Sequence, residues 1–206
     1  MILCLTGMMG CGKSSAGRVL AGRLGIPFAD LDHLIETRTK RSIPEIFKTD
    51  GEPVFRSLEH ETLAAFLSGT STDCVLALGG GTVMTPACAE LVRQQTCCIY
   101  LRADADTLCR RLSAHGQAGR RPLLSPASGQ SLPPTGADGT GADDALGNLS
   151  ALRQRIEKLL AEREPVYSAA ACHTVDTDTL SPAAVADEIC RLLRNQNSSF
   201  LPSSFS

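Results

Sequence analysis

The run Gly7-Met8-Met9-Gly10-Cys11-Gly12-Lys13-Ser14 matches G-x-x-x-x-G-K-[ST], and it lies between the apolar run Ile2 to Leu5 and a helical pattern that opens at Lys13. Strand, glycine loop and helix are the setting in which this motif holds phosphate. The glycines let the backbone curl so that successive N–H groups face one anion, and the N-terminus of the following helix adds its partial positive charge. Gly10, Cys11, Gly12, Lys13, Ser14 and Ser15 are therefore expected to bind a nucleotide, with Lys13 neutralising the β- and γ-phosphates and Ser14 holding Mg²⁺. Only four of the 20 cationic residues are lysines, which makes Lys13 the more informative.

Further apolar runs too short for helices occur at Cys74 to Leu78 and Cys97 to Leu101, with weaker ones at Ile26 to Ala29 and His173 to Val175. They read as strands. Helical patterns lie between and after them, at Lys13 to Leu24, His33 to Lys40, Glu52 to Leu67, Pro86 to Gln95, Ala105 to Ala114, Leu149 to Arg163 and Pro182 to Arg194. Ser42 and Glu45 have capping-box spacing with Pro44 in the first turn, so a short helix is expected to run to Thr49 and stop at Gly51. This alternation implies an α/β fold with a mainly parallel sheet covered on both faces.

At 206 residues the chain has room for one domain, expected over residues 1–195. Ser125 to Asn148 departs from the rest, with five Gly, three Pro and three Asp but no Lys, Arg, Val, Ile or Phe. It is expected to be a mobile loop, and residues 196–206 a flexible tail. Near balance of 20 basic and 22 acidic residues argues against nucleic acid or an anionic membrane surface as a partner. No basic n-region precedes the first apolar run, which stops at Gly7, so neither a secretory signal nor a membrane span is expected there. Nine cysteines, an odd number without a C-x-x-C pair, argue against a disulfide framework or a zinc site. Most, Cys74, Cys97 and Cys98 among them, read as small core residues of a cytoplasmic protein.

The carboxylate that supports the metal often stands at the end of a second apolar strand. Here the strand Val75 to Leu78 ends instead in Gly79-Gly80-Gly81, and the carboxylates fall after Ile26 to Ala29, as Asp30 and Asp32. In an extended stretch these two side chains would point the same way, one serving Mg²⁺ through water and the other a hydroxyl substrate. Alternatively Asp32 caps the helix that begins near His33. Three successive glycines at a strand end leave backbone N–H groups open to a ligand, or make only a tight turn. Arg56 could pair with Glu52 or Glu59 at helical spacing, and Arg163 could merely complement the end of its helix. His33, His60, His115 and His173 have no ligand or triad spacing. Cys11, at a helix N-terminus, is a candidate thiol-sensitive position.

Together these residues resemble the shikimate kinases. The resemblance rests on an ordered set: GMMGCGKSS, FADLD at Phe28 to Asp32, SIPEIF at Ser42 to Phe47, GEPVFRSLE at Gly51 to Glu59, LGGGTV at Leu78 to Val83, RPLL at Arg121 to Leu124, REPVY at Arg163 to Tyr167, and VDTDTLSP at Val175 to Pro182. It implies a nucleoside-monophosphate-kinase-like P-loop fold with a five-stranded parallel sheet and a mobile lid over about residues 112–149, acting as a monomer on ATP and shikimate with Mg²⁺. It further implies Lys13, Asp32 and Arg121 as catalytic residues, with Asp32 the base or orienter of the attacking oxygen and Arg121 meeting the transferring phosphate from the lid. Ser14 and Asp30 would serve the metal. Arg56 and Arg163 would hold the shikimate carboxylate and Gly79, Gly80 and Gly81 would add backbone contacts. Arg111, with Arg110 adjacent, would stack on adenine, with the Asp178 to Pro182 turn on its other side.

The stretch 125–148 is longer than the resemblance leads one to expect, and its position beside the lid bears on lid motion and ATP affinity. Rival readings are another small P-loop kinase, for gluconate or a nucleoside monophosphate, and a nucleotide-binding switch without catalysis. GEPVFRSLE and LGGGTV argue against gluconate, and the lack of a long arginine-rich lid segment argues against the adenylate type. Retention of Lys13, Ser14, Asp30, Asp32 and Arg121 argues against the second.

Overall fold

A computed structural model describes residues 1–114 and 142–195, the side chains of the second span from Leu149 onward. Arg121, His115, most of the expected lid, residues 125–141 of the insertion and the C-terminal tail lie outside the described residues, whereas 142–148, expected as loop, form the start of a helix that begins seven residues before Leu149.

Five strands, β1 (Ile2–Thr6), β2 (Phe28–Asp30), β3 (Cys74–Ala77), β4 (Thr96–Arg102) and β5 (His173–Asp176), form one parallel sheet in the order β2-β3-β1-β4-β5. All five coincide with the apolar runs, and the three inner strands β1, β3 and β4 carry the strongest of them because a strand covered on both faces needs no polar alternation. β1 is buried along its whole length, and Leu3 faces Val75 on one side and Cys97 on the other.

Helices cover the sheet: α1 (Lys13–Leu24), α2 (Leu31–Thr39), α3 (Ile43–Gly69), α4 (Pro86–Gln95), α5 (Ala105–Ala114), α6 (Ala142–Ala170) and α7 (Pro182–Asn195). The α1 helix ends at Gly25 in the left-handed region, and α4 opens with Pro86 at its first position, as their sequences require. Within α3 the backbone breaks at Gly51, φ 81°, where the sequence placed the stop, and the Ser42 hydroxyl accepts the Glu45 N–H at 3.4 Å as the capping box predicts. Among the described residues no helix is long and apolar enough to cross a membrane.

Two boundaries differ from expectation in ways that matter. The α2 helix starts at Leu31 rather than His33, so Asp32 is helical and the extended-strand argument for its direction does not apply. The α6 helix runs on past Arg163 to Ala170, which places Arg163 in its interior and removes the reading of that residue as a helix-end charge. Pro165 did not stop the helix. Burial of Ile156 and Tyr167 against the core holds it together, and tertiary packing of this kind routinely outweighs local propensity.

Candidate functional site

Strand β1 stands between β3 and β4, and the chain passes from one side of it to the other after β3. A crevice opens at such a switch point, at the carboxyl ends of the strands. Here it is a cleft of about 450 Å³, a usual size for a small-molecule site. The loop after β1, the start of α2, the turn after β3, α5 and the segment before α7 all contribute to it.

The floor is the P-loop. Gly7 has φ 137°, and a Cβ there would stand 2.5 Å from the Leu101 carbonyl oxygen, so no side chain fits where the loop leaves the sheet. The Lys13 ammonium, 9 % exposed, donates to the carbonyls of Gly7 at 2.8 Å and Met8 at 3.1 Å, while Gly10, Cys11, Gly12, Ser14 and Ser15 line the cleft. Cys11 contributes backbone, since the residue is 2 % exposed and its Sγ lies 3.9 Å from Lys13 Nζ. A thiol so buried offers little access to reagents, which corrects the expectation of a thiol-sensitive position.

Asp30 and Asp32 both line the cleft, by different means from those the sequence suggested. Asp30 caps α2: its Oδ1 accepts the Asp32 N–H at 3.1 Å, while its Oδ2 accepts the Ser14 hydroxyl at 2.6 Å. One carboxylate thus ties the first turn of α1 to the start of α2. Asp32, in the first turn of α2, lies against the turn after β3.

That turn is the second organising element. A Cβ on Gly79 would meet Asp32 Oδ1 at 2.8 Å, and one on Gly81 would meet Arg56 Nη2 at 2.7 Å. At Gly79 and Gly81 the lack of a side chain lets carboxylate and guanidinium approach the backbone, while a Cβ on Gly80 would crowd the Met9 N at 3.2 Å. The expected helical pairs of Arg56 are present as well, with Glu52 at 2.9 Å and Glu59 at 2.7 Å. Glu59 is 1 % exposed and also accepts the Thr82 hydroxyl at 2.7 Å, so it anchors Arg56 to the glycine turn. Burial works against the Arg56 charge, and Glu59 with Glu52 more than offsets it.

Arg163 is 9 % exposed and donates to the Gly80 carbonyl at 3.2 Å. The Tyr167 hydroxyl donates to the same oxygen. Burial pushes the Tyr167 phenol up to about 12, so it remains a donor at neutral pH. On the opposite wall Arg111 lines the cleft, donating to the Thr177 hydroxyl at 3.2 Å and the Cys11 carbonyl at 3.4 Å, whereas Arg110 donates to Thr107 on its own helix. Of the two adjacent arginines, Arg111 is the one at the site. Thr177, Leu180 and Pro182 line the same wall, while the Asp178 carboxylate is engaged by the Asp104 N–H at 2.8 Å.

Three residues have a part in this arrangement that the sequence did not indicate: Glu59, Tyr167 and Thr177. Tyr167 lies four residues after Arg163, on the same helix face, and that spacing was the available signal. Glu59 was seen only as a surface partner of Arg56. Nothing in the sequence indicates that it is buried.

Comparisons with known proteins agree on one family. The model of the family described as Shikimate kinase matches residues 9–194. The shikimate kinase of Chloroherpeton thalassium is 41 % identical over 169 residues, covering 82 % of this chain and 80 % of the relative. That of Mycobacterium avium is 40 % identical over 181 residues, covering 88 % and 86 %. Among solved structures, shikimate kinase from Acinetobacter baumannii in complex with shikimate superposes with a TM-score of 0.77 at 29 % identity, over 95 % of this chain and 93 % of that one. With this extent of sequence and fold in common, the chain belongs to the shikimate kinase family.

Proposed function

We propose that the chain transfers the γ-phosphoryl group of ATP to the 3-hydroxyl of shikimate, giving shikimate 3-phosphate and ADP for aromatic biosynthesis. The observation that carries this reading is the glycine turn, which ties the phosphate cleft through Gly80 to Arg163, and through Gly79 and Gly81 to Asp32 and Arg56. A donor phosphate on Lys13 and an anionic acceptor held by two arginines would then meet at Asp32.

Phosphoryl transfer asks the protein chiefly for positioning and charge neutralisation. Lys13 and the P-loop N–H groups neutralise the β- and γ-phosphates. Arg56 and Arg163 grip the acceptor carboxylate, for which the planar guanidinium offers two parallel N–H donors that lysine lacks. Asp32 orients the acceptor hydroxyl and takes up its proton as the new P–O bond forms. Arg111 and Pro182 flank the adenine. Arg121 belongs to the same reading, as the lid residue that meets the transferring phosphate.

The Ser14 hydroxyl and the Asp30 carboxylate, 2.6 Å apart beside the phosphate cradle, fit Mg²⁺, a hard cation that takes one or two protein oxygens and completes its shell with water and phosphate. Bound there, it would supply positive charge to the phosphate oxygens. Nine free thiols suit a reducing, cytoplasmic setting, and a monomer is sufficient, since all these side chains come from one chain.

The direct test is ADP release by the purified protein from ATP and Mg²⁺, with shikimate and, in parallel, with gluconate and nucleoside monophosphates. Turnover dependent on shikimate alone is expected. Turnover with either control at the same rate, or ATP binding without turnover, would overturn the reading.

Tyr167→Phe provides a finer test. It leaves the Gly80 carbonyl to Arg163 alone, so the shikimate KM is expected to rise about 3- to 10-fold and stability to fall by about 1 kcal/mol. Steady-state kinetics and urea unfolding read the two effects, and an unchanged KM would remove Tyr167 from the acceptor site.

A further inference from the structure

At the amino end of the sheet, away from the phosphate cleft, Cys97 of β4 and Cys172, just ahead of β5, bring their sulfurs to 3.1 Å. They are 75 residues apart in sequence, and the parallel pairing of β4 with β5 creates the contact. Cys97 is half-buried and Cys172 exposed, which corrects the reading of Cys97 as a plain core residue. The remaining seven thiols are all buried.

We propose that Cys97 and Cys172 are a peroxide-oxidisable dithiol that closes reversibly to a disulfide between β4 and the α6–β5 junction. Three features favour it. The sulfurs need to close by only about 1 Å to reach bonding distance. The backbone around Cys172 is already held, its N–H donating to the Cys98 carbonyl at 2.8 Å with its sulfur 3.0 Å from the same oxygen, so little ordering remains to be done. Third, the Cys97 thiol and then His173 favour the thiolate of Cys172 against its partial burial, and hold it below the ordinary thiol range. The same contact, with burial, pushes Cys97 up. Cys172 is therefore the sulfur that deprotonates and attacks, and Cys97 the one that resolves.

The chemistry balances with hydrogen peroxide as the oxidant. The Cys172 thiolate attacks one peroxide oxygen, the O–O bond breaks, and the departing hydroxide takes a proton to become water. Cys172 is left as a sulfenic acid. The Cys97 sulfur then attacks that sulfur, the S–O bond breaks as the S–S bond forms, and the Cys97 proton leaves with the hydroxide as a second water. Two thiols have lost two electrons and the peroxide has gained them. A dithiol reductant reverses the step and is itself oxidised.

In the fold, the bond would fasten the end of α6, the helix that carries Arg163 and Tyr167, to the central part of the sheet. The C-terminal residue of that helix, Ala170, is two positions from Cys172.

The test is peptide mapping of the full-length reduced protein after hydrogen peroxide, with free thiols alkylated and trypsin digestion under non-reducing conditions. A cross-linked pair is expected between the peptide running from Gln94 to Arg102 and that from Glu164 to Arg191, lighter than the sum by two hydrogens and restored by dithiothreitol. Both peptides hold a second cysteine, so variants assign the bond. The cross-link is expected to vanish in Cys97→Ser and Cys172→Ser and to persist in Cys98→Ser and Cys190→Ser. Cys97→Ser should also accumulate a dimedone adduct on Cys172, a gain of signal that loss of folding would not produce. Circular dichroism of each variant checks the fold. A bond that maps to Cys98 or Cys190, a Cys172 that proceeds to sulfinic acid while Cys97 remains alkylatable, or no reaction at either residue would each overturn the proposal.

Discussion

Asp32→Asn is expected to lower kcat by about 10²- to 10⁴-fold, the usual contribution of a general base. That corresponds to roughly 3–5 kcal/mol of transition-state stabilisation at 1.36 kcal/mol per tenfold. The KM for ATP is expected to stay within about twofold, because the side chain lies against Gly79, whereas the proposed reading puts the phosphates on the P-loop. Asparagine keeps the size and hydrogen-bonding reach of aspartate but cannot take up a proton. A variant that turns over at near-normal rate would therefore mean that Asp32 positions α2 and nothing more. Steady-state kinetics in both substrates decide between these, with thermal unfolding to confirm that the variant is folded.

Arg163→Ala is expected to reduce kcat/KM for shikimate by about 10²- to 10⁴-fold, since in the proposed reading it would remove two charge-assisted hydrogen bonds to the acceptor carboxylate at about 1.5–3 kcal/mol each. It also leaves the Gly80 carbonyl with Tyr167 alone. Arg56→Ala should act in the same direction with a larger structural penalty. It strands Glu59, 1 % exposed, without its cation, a loss of about 3–5 kcal/mol when a buried pair is broken from one side. Because both arginines are assigned to one carboxylate, the double variant should lose less than the sum of the two. If either change moved only the KM for ATP, or if the two effects were additive, the shared clamp would be wrong.

The sheet and the phosphate loop were legible in the chain because their signals are local. A parallel strand covered on both faces must be apolar throughout, which exposes Ile2 to Leu5, Cys74 to Leu78 and Cys97 to Leu101. The P-loop, the Ser42 capping box and the Gly51 stop each act over a few residues and appear where the spacing placed them. The first turn of α2 is ambiguous in the sequence because Asp30 and Asp32 are both acceptable caps, and the structure chooses Asp30, which accepts the Asp32 N–H at 3.1 Å and is held by the Ser14 hydroxyl at 2.6 Å.

The sequence by itself thus determined the α/β framework, the nucleotide loop and, through its ordered motifs, the family. Tertiary structure alone decided the geometry of the arginines and the cysteines. Arg56 has helical partners in either reading, and the burial of Glu59 against Thr82 turns a surface pair into an anchor for the glycine turn. Arg163 and Tyr167 converge on an oxygen 83 and 87 residues away, and Cys97 meets Cys172 across 75. Such contacts follow from strand order and from which helix face is covered, which depend on the whole chain's burial at once and leave no local periodicity to read.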